Sequence, residues 1–514
     1  MSGLHVHLPV LPVVLPLLTA AALLLLLRAP LEWKRVLSLV STVLLGVVVL
    51  GLGIGVEHAG LLVYQVGNWP SFAGIVLLAD RLAVLMLVLL VLLALASQLY
   101  AAGSDDDRRG PHFHALFQFQ LMGLCGAFLT HDLFNLFVFF EVLLAASYGL
   151  LLHGQGGERL RQGLHYVVLN LVASALFLFA VGVLYAALGS LNLADLSARV
   201  AAMPAESQPL VMAGAVLLVL VFALKAALLP LYFWLPRTYA SASAPAAILF
   251  AIMTKLGVYA VVRVYVLVFG AAAFTGALQA GLFWAGAGTT LLAALGALAA
   301  TQLRGLLGYL VVGSAGVLFM ALGLGSLPAL AAALYYLAHS TLAMAAFFLL
   351  ADWVRRHRDG GDGLSRVGVT LRAGLLGGLF AVLAIAAAGL PPLGGFLGKS
   401  LLLANTAPAG PGVVLWTLVL VASLLNLVAL VRAGSRLFWQ QPAIAPSRTP
   451  AAVAAPALGE RLGLLVLLAA LLGTAVLAGR VVDYVGGSAA QLADTAAYRD
   501  AVLGKTPLPT MVPQ

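Results

Sequence analysis

Residues 219–236 read VLVFALKAALLPLYFWLP, an apolar run of membrane-spanning length that carries Lys225 and, five residues later, Pro230. A helix that crosses a bilayer needs about 20 apolar residues. A proline inside one frees backbone groups that only protein or water can satisfy. A second stretch repeats the theme: residues 389–403, GLPPLGGFLGKSLLL, place Pro391, Pro392, Gly394 and Gly395 ahead of Lys399. Between the two, residues 248–262, ILFAIMTKLGVYAVV, hold Lys255. These are three of only five lysines; Lys34 and Lys505 fall in a charged loop and a polar tail. The 22 arginines lie almost entirely between the apolar segments or at their ends. An ammonium in hydrocarbon is expensive but can release its proton, which a guanidinium effectively cannot. Lysine within the spans and arginine at their edges is the pattern of a chain that moves protons.

The composition places all of this in a bilayer. Of the 514 residues, 63% are hydrophobic and 9% charged, a mix that cannot cover a soluble surface. Length alone predicts about three soluble domains. The recurrence of apolar runs replaces that with one polytopic membrane domain. The net charge of +9 does not indicate nucleic acid, because no basic run with interleaved aromatics occurs. A single cysteine, Cys125, excludes an internal disulfide and a cysteine-ligated iron–sulfur cluster held by this chain alone. It reads as a small apolar residue in a span. The first apolar run, 8–27, has no basic residue before it and three after it, so it reads as a retained helix with its N-terminus outside.

Fourteen spans are predicted: 8–27, 36–56, 76–100, 113–131, 133–152, 165–188, 209–236, 244–267, 273–300, 304–325, 328–351, 371–406, 411–437 and 459–479. The twelfth is too long for one straight crossing. With the N-terminus outside, eighteen Lys and Arg fall in inside loops and six outside, and a wrong count would scramble this bias. Both termini are then outside. Residues 189–204, GSLNLADLSARVAAMP, put Leu193, Leu196 and Val200 at helical spacing and read as a short helix on the membrane surface. Residues 491–504 read as a weak helix, followed by a Pro-rich extended or disordered end. The interrupted spans 7 and 12 lie five apart, each with a lysine, and point to two related halves.

Glu141 ends NLFVFFE in span 5, roughly 13 Å from its start and near the middle of a hydrocarbon core about 30 Å thick. A lone carboxylate there neutralises itself or finds a cation, and Lys225 is the candidate partner. Making and breaking that pair would load and release a proton; a permanent pair that fixes packing is the alternative. Lys255 lies at similar depth. His339, in LYYLAHSTLAMAAFF, is placed to relay a proton between lysines, or to serve as a hydrogen-bonded core histidine. His112 and His114 resemble a metal pair but have no third ligand near in sequence, so they are read as interfacial. Asp132 and Asp80, the latter beside Arg81, read as anchors at the outer interface.

Four stretches carry a resemblance: DLFNLFVFFEVLLAASYGLLLHG, LKAALLPLYFWLP, APAAILFAIMTKLGVYAVVRVY and GLPPLGGFLGKSLLL. Over roughly residues 70–440 the chain resembles the antiporter-like proton-translocating family. That family is shared by Mrp-type monovalent cation/proton antiporters and the membrane arm of NADH:quinone oxidoreductases. The first and last stretches look most like the D-type subunits of the Mrp antiporters, particularly of the potassium/proton members. The resemblance implies an all-α polytopic fold of about fourteen transmembrane helices, with two inverted five-helix repeats and broken helices 7 and 12. It divides the chain into 1–100 (spans 1–3), 101–267 (first repeat, spans 4–8), 268–440 (second repeat, spans 9–13) and 441–514 (span 14 and tail). It makes Glu141 the span 5 glutamate, Lys225 its partner, Lys255 the central lysine, Lys399 the terminal carrier and His339 the span 11 histidine. The chain departs from the pattern in having Tyr232 where many members have histidine and Arg237 where many have an acid. It also lacks a base one turn beyond His339.

The function so implied is that of a membrane subunit of a multisubunit antiporter exchanging Na⁺ or K⁺ for H⁺, in a bacterial inner membrane and with other subunits as partners. The alternative is a proton-pumping subunit of a redox complex, driven by electron transfer elsewhere. A scaffold subunit that transports nothing is disfavoured by the complete Glu–Lys–Lys–Lys set. No cofactor, metal, or redox or hydrolytic site is expected in this chain.

Overall fold

The computed structural model describes residues 7–71, 74–154, 156–270, 272–358, 361–364, 372–440 and 455–504. Arg366, Arg448, Lys505 and the Pro-rich end, all used in the sequence reading, lie outside the described residues. The chain begins with α1 (Leu11–Leu25) and α2 (Leu31–Ala59), then a hairpin of β1 (Leu62–Gln65) and β2 (Val76–Ala79). Next come α3 (Arg81–Ser104), α4 (Phe113–Leu129), α5 (Leu133–Leu152), α6 (Gly157–Leu188), α7 (Leu193–Ala201), α8 (Gln208–Lys225), α9 (Trp234–Ser241) and α10 (Ala244–Val262). The second half holds α11 (Thr275–Ala299), α12 (Leu303–Gly323), α13 (Leu327–Arg356), α14 (Ala373–Ala388), α15 (Gly394–Ala404) and α16 (Pro411–Gly434). It closes with α17 (Leu458–Val476), α18 (Ala478–Ala493) and α19 (Thr495–Leu503).

Among the described residues, 11 helices are long and apolar enough to cross a membrane, and α1, α4, α14 and α15 are shorter apolar ones. This is a multi-pass membrane protein. Both breaks predicted from proline and glycine are present. The α8 helix stops at Lys225, and the chain passes through Ala227 (φ 58°) and Pro230 before α9 begins. The α14 helix stops at Ala388, and Gly389 (φ 80°) and the Pro391–Pro392 pair separate it from α15. A positive φ suits glycine, and proline offers no N–H to continue a ladder, so α14 ends where those residues fall. Two of the shorter apolar helices, α14 and α15, flank the second break.

Two helices, α10 and α13, are buried on every side across their apolar windows, whereas α2, α16 and α17 bury only a third or less of theirs. A helix apolar all round belongs inside a bundle, and these two carry Lys255 and His339. The ends of the bundle differ. At one, arginines dominate: Arg35 pairs with Asp105 and Asp107, Arg304 with Asp362, and Arg356 with Asp352 and Glu460. Outside the spans, Asp107 is held below the usual carboxylate range, because hydrogen bonds from Arg35 and His114 outweigh its burial.

The opposite end is more built up than the sequence reading expected. Apolar Leu193, Leu196 and Val200 of α7 are buried against the protein, under the turn Arg263–Val268 and α19, and not laid on a lipid surface. The tail forms two packed helices, α18 and α19. The β1–β2 hairpin was not anticipated, since two four-residue strands leave no pattern against apolar flanks. Asp80 caps α3 and forms a buried ion pair with Arg263, while Arg81 turns to Glu57. Asp132 caps α5 through the Asn135 N–H at 2.8 Å. His114 lies at the arginine-rich end, buried within the protein and 3.1 Å from Asp107.

Candidate functional site

The five residues singled out from the sequence lie on five helices, four of them inside the bundle. Lys225 is the last residue of α8, its side chain buried at the break. Its ammonium stands 4.8 Å from the Phe140 ring centroid and has no hydrogen-bond partner among the described residues. Glu141 is near enough to act electrostatically on Lys225, yet forms no ion pair with it among the described residues. Glu141 instead accepts a hydrogen bond from Ser174 of α6. The expected pair is therefore open. The physical reason is a competing donor: a serine hydroxyl one helix away satisfies the carboxylate, and an aromatic face supports the cation.

Lys255 is 1% exposed in α10 and donates to Ser314 Oγ of α12 at 2.5 Å. Lys399 of α15 donates to the Ala388 carbonyl at 2.7 Å and to Ser423 Oγ of α16 at 2.8 Å. Ala388 is the last residue of α14, so the ammonium sits at the negative end of that half-helix, where unpaired carbonyls favour a cation. Gly389 makes room for it: a Cβ there would meet Lys399 Nζ at 2.9 Å.

His339 sits against the break. Its Nε2 lies 3.2 Å from the Ala386 carbonyl and its Nδ1 3.4 Å from Thr474 Oγ1 of α17. A carbonyl only accepts, so the ring donates from Nε2 to Ala386, while Nδ1 faces the Thr474 hydroxyl, which itself donates to the Leu471 carbonyl at 2.7 Å. The ring stacks onto Gly394 and Gly395, at each of which a Cβ would approach one ring nitrogen to 2.8 Å. His339 is thus a neighbour of Lys399 and not a bridge touching both lysines.

A cavity of about 30 Å³ connects the two groups. It is lined by Ser314, Ser340, His339, Lys399, Ser423 and Asn426, among others, and is large enough for a water molecule. Asn426 Oδ1 is buried there without a protein partner. From Lys255 the sequence of polar groups runs Ser314, cavity, Lys399. Among the described residues no hydrogen bond joins Lys225 to Lys255. Ser174, Ser314, Ser423, Thr474 and Asn426 escaped the sequence reading. Their only signal is a hydroxyl or amide in an apolar run, and such groups are common because they bond back to their own helix, as Ser314 also does to Val311.

The packing yields a prediction. Gly395→Ala should destabilise the protein by about 1–3 kcal/mol and impair transport, because the new methyl runs into the Ala386 carbonyl, which is backbone and cannot swing away. Gly182→Ala in α6, where nothing lies within reach of a Cβ, should leave the melting temperature unchanged. Equal melting of the two variants would mean the break is looser than described.

A many-helix membrane bundle with two interrupted helices and a buried line of lysines defines a class of ion-translocating membrane protein. The chain belongs to the NADH:quinone oxidoreductase/Mrp antiporter transmembrane family, whose model matches residues 130–426. It is 42% identical over 472 residues, 84% of this chain and 87% of the relative, to the D subunit of a probable K⁺/H⁺ antiporter of Rhizobium meliloti (strain 1021). It is 35% identical over 501 residues, 96% of this chain and 99% of the relative, to the D subunit of the Na⁺/H⁺ antiporter of Bacillus subtilis (strain 168). Its fold matches a chain in the structure of the Mrp complex from Dietzia sp. DQ12-45-1b, with a TM-score of 0.85 and 26% identity over 98% of this chain and 100% of that one.

Proposed function

We propose that this chain is the D-type subunit of a multisubunit Na⁺/H⁺ or K⁺/H⁺ antiporter and that it carries the protons. One observation supports the proton role above the others. Every ion pair among the described residues is made by arginine or by His114, and none by lysine. A carboxylate partner would hold an ammonium charged. Lys255 and Lys399 have hydroxyl and carbonyl partners instead, and Lys225 has an aromatic face. These partners leave the proton free to depart.

In this reading Glu141 and Lys225 form the loading site and Lys255 the central carrier. The Ser314 cavity with His339 leads to Lys399, which exchanges with the outside at the break in α15's span. All fourteen segments cross a bacterial inner membrane, the arginine-rich end faces the cytoplasm, and both termini lie outside. An offset of five crossings reverses direction, so the two halves, 101–267 and 268–440, are inverted relative to each other. Segments 1–100 and 441–514 flank them. Other antiporter subunits complete the assembly.

Two measurements test this. Everted vesicles from cells expressing the whole set of subunits should lose an imposed pH gradient on addition of Na⁺ or K⁺. A gradient that responds only to electron transfer would favour the redox-linked reading. For topology, cysteines at Arg356 and near Gln514, after Cys125 is replaced, should differ: only the second should react with an impermeant reagent in intact cells. Labelling at 356 would reverse the orientation.

A further inference from the structure

At the arginine-rich end a cavity of about 980 Å³ opens between the start of α6, α9, the end of α11 and the start of α12, with Arg109 and Arg355 also lining it. Its walls carry six guanidiniums, those of Arg109, Arg159, Arg161, Arg237, Arg304 and Arg355, against one carboxylate, Glu158. We propose that this cavity seats the phosphate-bearing headgroup of an anionic phospholipid, whose acyl chains lie along the exposed face of α6.

The charge is not balanced from within. Arg109, Arg304 and Arg355 each have an acid, at 3.0 Å to Asp106, 3.1 Å to Asp362 and 2.8 Å to Asp352. The other three do not. Arg159 forms no ion pair among the described residues and spends its donors on the carbonyls of Ser241 and His153; Asp106 attracts it, while the guanidiniums of Arg109, Arg304 and Arg355 repel it. Arg161 and Arg237 are exposed and form no ion pair among the described residues. Glu158 accepts from Gln162 at 3.0 Å and pairs with none of them. Two uncompensated cations, Arg161 and Arg237, therefore line the cavity beside a third, Arg159, that carbonyls and the charge of Asp106 hold without an ion pair, against the one carboxylate of Glu158. Gathering like charges in a recess is unfavourable unless an anion joins them, and guanidiniums match the oxygens of a phosphate in fork geometry.

The lipid source, and not a free anion, follows from what lies next to the cavity. Leu164, Val168 and Val172 fall three, seven and eleven residues beyond Arg161, on the same helical face. They are 62%, 50% and 52% exposed. From Arg161 to Val172 is about 16 Å along the axis, roughly half the hydrocarbon thickness. A headgroup held at Arg161 thus has an apolar track one leaflet long beneath it. Basic pockets between helices at the cytoplasmic side are suited to such headgroups.

The test uses the purified assembled complex and native mass spectrometry with added dioctanoyl phosphatidylglycerol, dioctanoyl phosphatidylcholine and inorganic phosphate. The wild type should bind the phosphatidylglycerol at least about tenfold more tightly than the zwitterionic lipid. Arg161→Gln with Arg237→Gln should weaken that binding about thirtyfold. The double Arg→Lys variant should stay within about threefold of wild type, and Arg480→Gln, at the other end, should change nothing. Melting temperatures should not move, since neither Arg161 nor Arg237 has an ion-pair partner to lose. Phosphate binding as tightly as the lipid and displacing it would overturn the lipid assignment. Equal binding of both lipids, or no loss in the Gln double variant, would overturn the site. So would a cross-linker at position 237 that captures an acidic segment of another subunit in place of lipid.

Discussion

Lys255→Arg should abolish transport while the complex still assembles. Lys255 is 1% exposed, in a helix buried on all sides, and among the described residues its only hydrogen-bond partner is the Ser314 hydroxyl. Arginine keeps the positive charge and cannot give up its proton at any physiological pH. A carrier must do both, so cation-driven collapse of a pH gradient should fall by at least about a hundredfold, more than 2.7 kcal/mol of lost stabilisation of the rate-limiting state. Lys255→Ala should be equally inactive, which separates loss of the proton from crowding by the larger side chain. Wild-type transport by the arginine variant would make Lys255 an electrostatic post.

Lys225→Met should give the opposite signs for function and stability. Lys225 is a buried cation with no hydrogen-bond partner among the described residues, and an unsatisfied buried polar group costs about 1–3 kcal/mol, more when charged. Replacing it with an apolar side chain of similar length removes that cost. The assembled complex should melt at the same temperature or higher, yet transport should fall to background because the loading site is gone. Glu141→Ala should also stop transport, but it leaves Ser174 without its acceptor and Lys225 without a nearby negative charge, so it should melt lower. If Lys225 were a packing element, its removal would lower the melting temperature with a matching partial loss of activity. Strained or unsatisfied groups retained at a working site are the expected signature of function held at the expense of stability.

Much of this was legible from the chain because a bilayer makes ionisable residues conspicuous. Glu141, Lys225, Lys255, His339 and Lys399 stand out in apolar runs, and the two breaks follow from Pro230, Pro391–Pro392 and the glycines beside them. Their partners were not legible. Ser174, Ser314 and Ser423 look like any hydroxyl in a membrane helix, and only tertiary packing separates one that meets a lysine from one that bonds back along its own turn. The open Glu141–Lys225 pair is of the same kind: a carboxylate and an ammonium in apolar spans imply contact until a nearer donor is seen. Asp80 and Arg263 are 183 positions apart, so nothing local links them, whereas the neighbour Arg81 was a decoy. The arginine-rich cavity also escaped, because its six guanidiniums come from five separate stretches that look like ordinary loop-edge charges.

The central claim is that protons pass through this chain in order, from Glu141 and Lys225 through Lys255 to Lys399. Infrared difference spectra of the purified complex, following the Glu141 carboxyl band across a pH step in the Lys399→Ala variant, test it most directly. The account predicts a variant that transports nothing yet keeps the Glu141 band, since the loading site still exchanges with the cytoplasmic side. Loss of that band in an intact, assembled complex would contradict it, because the groups would then titrate as one coupled cluster and not as an ordered relay.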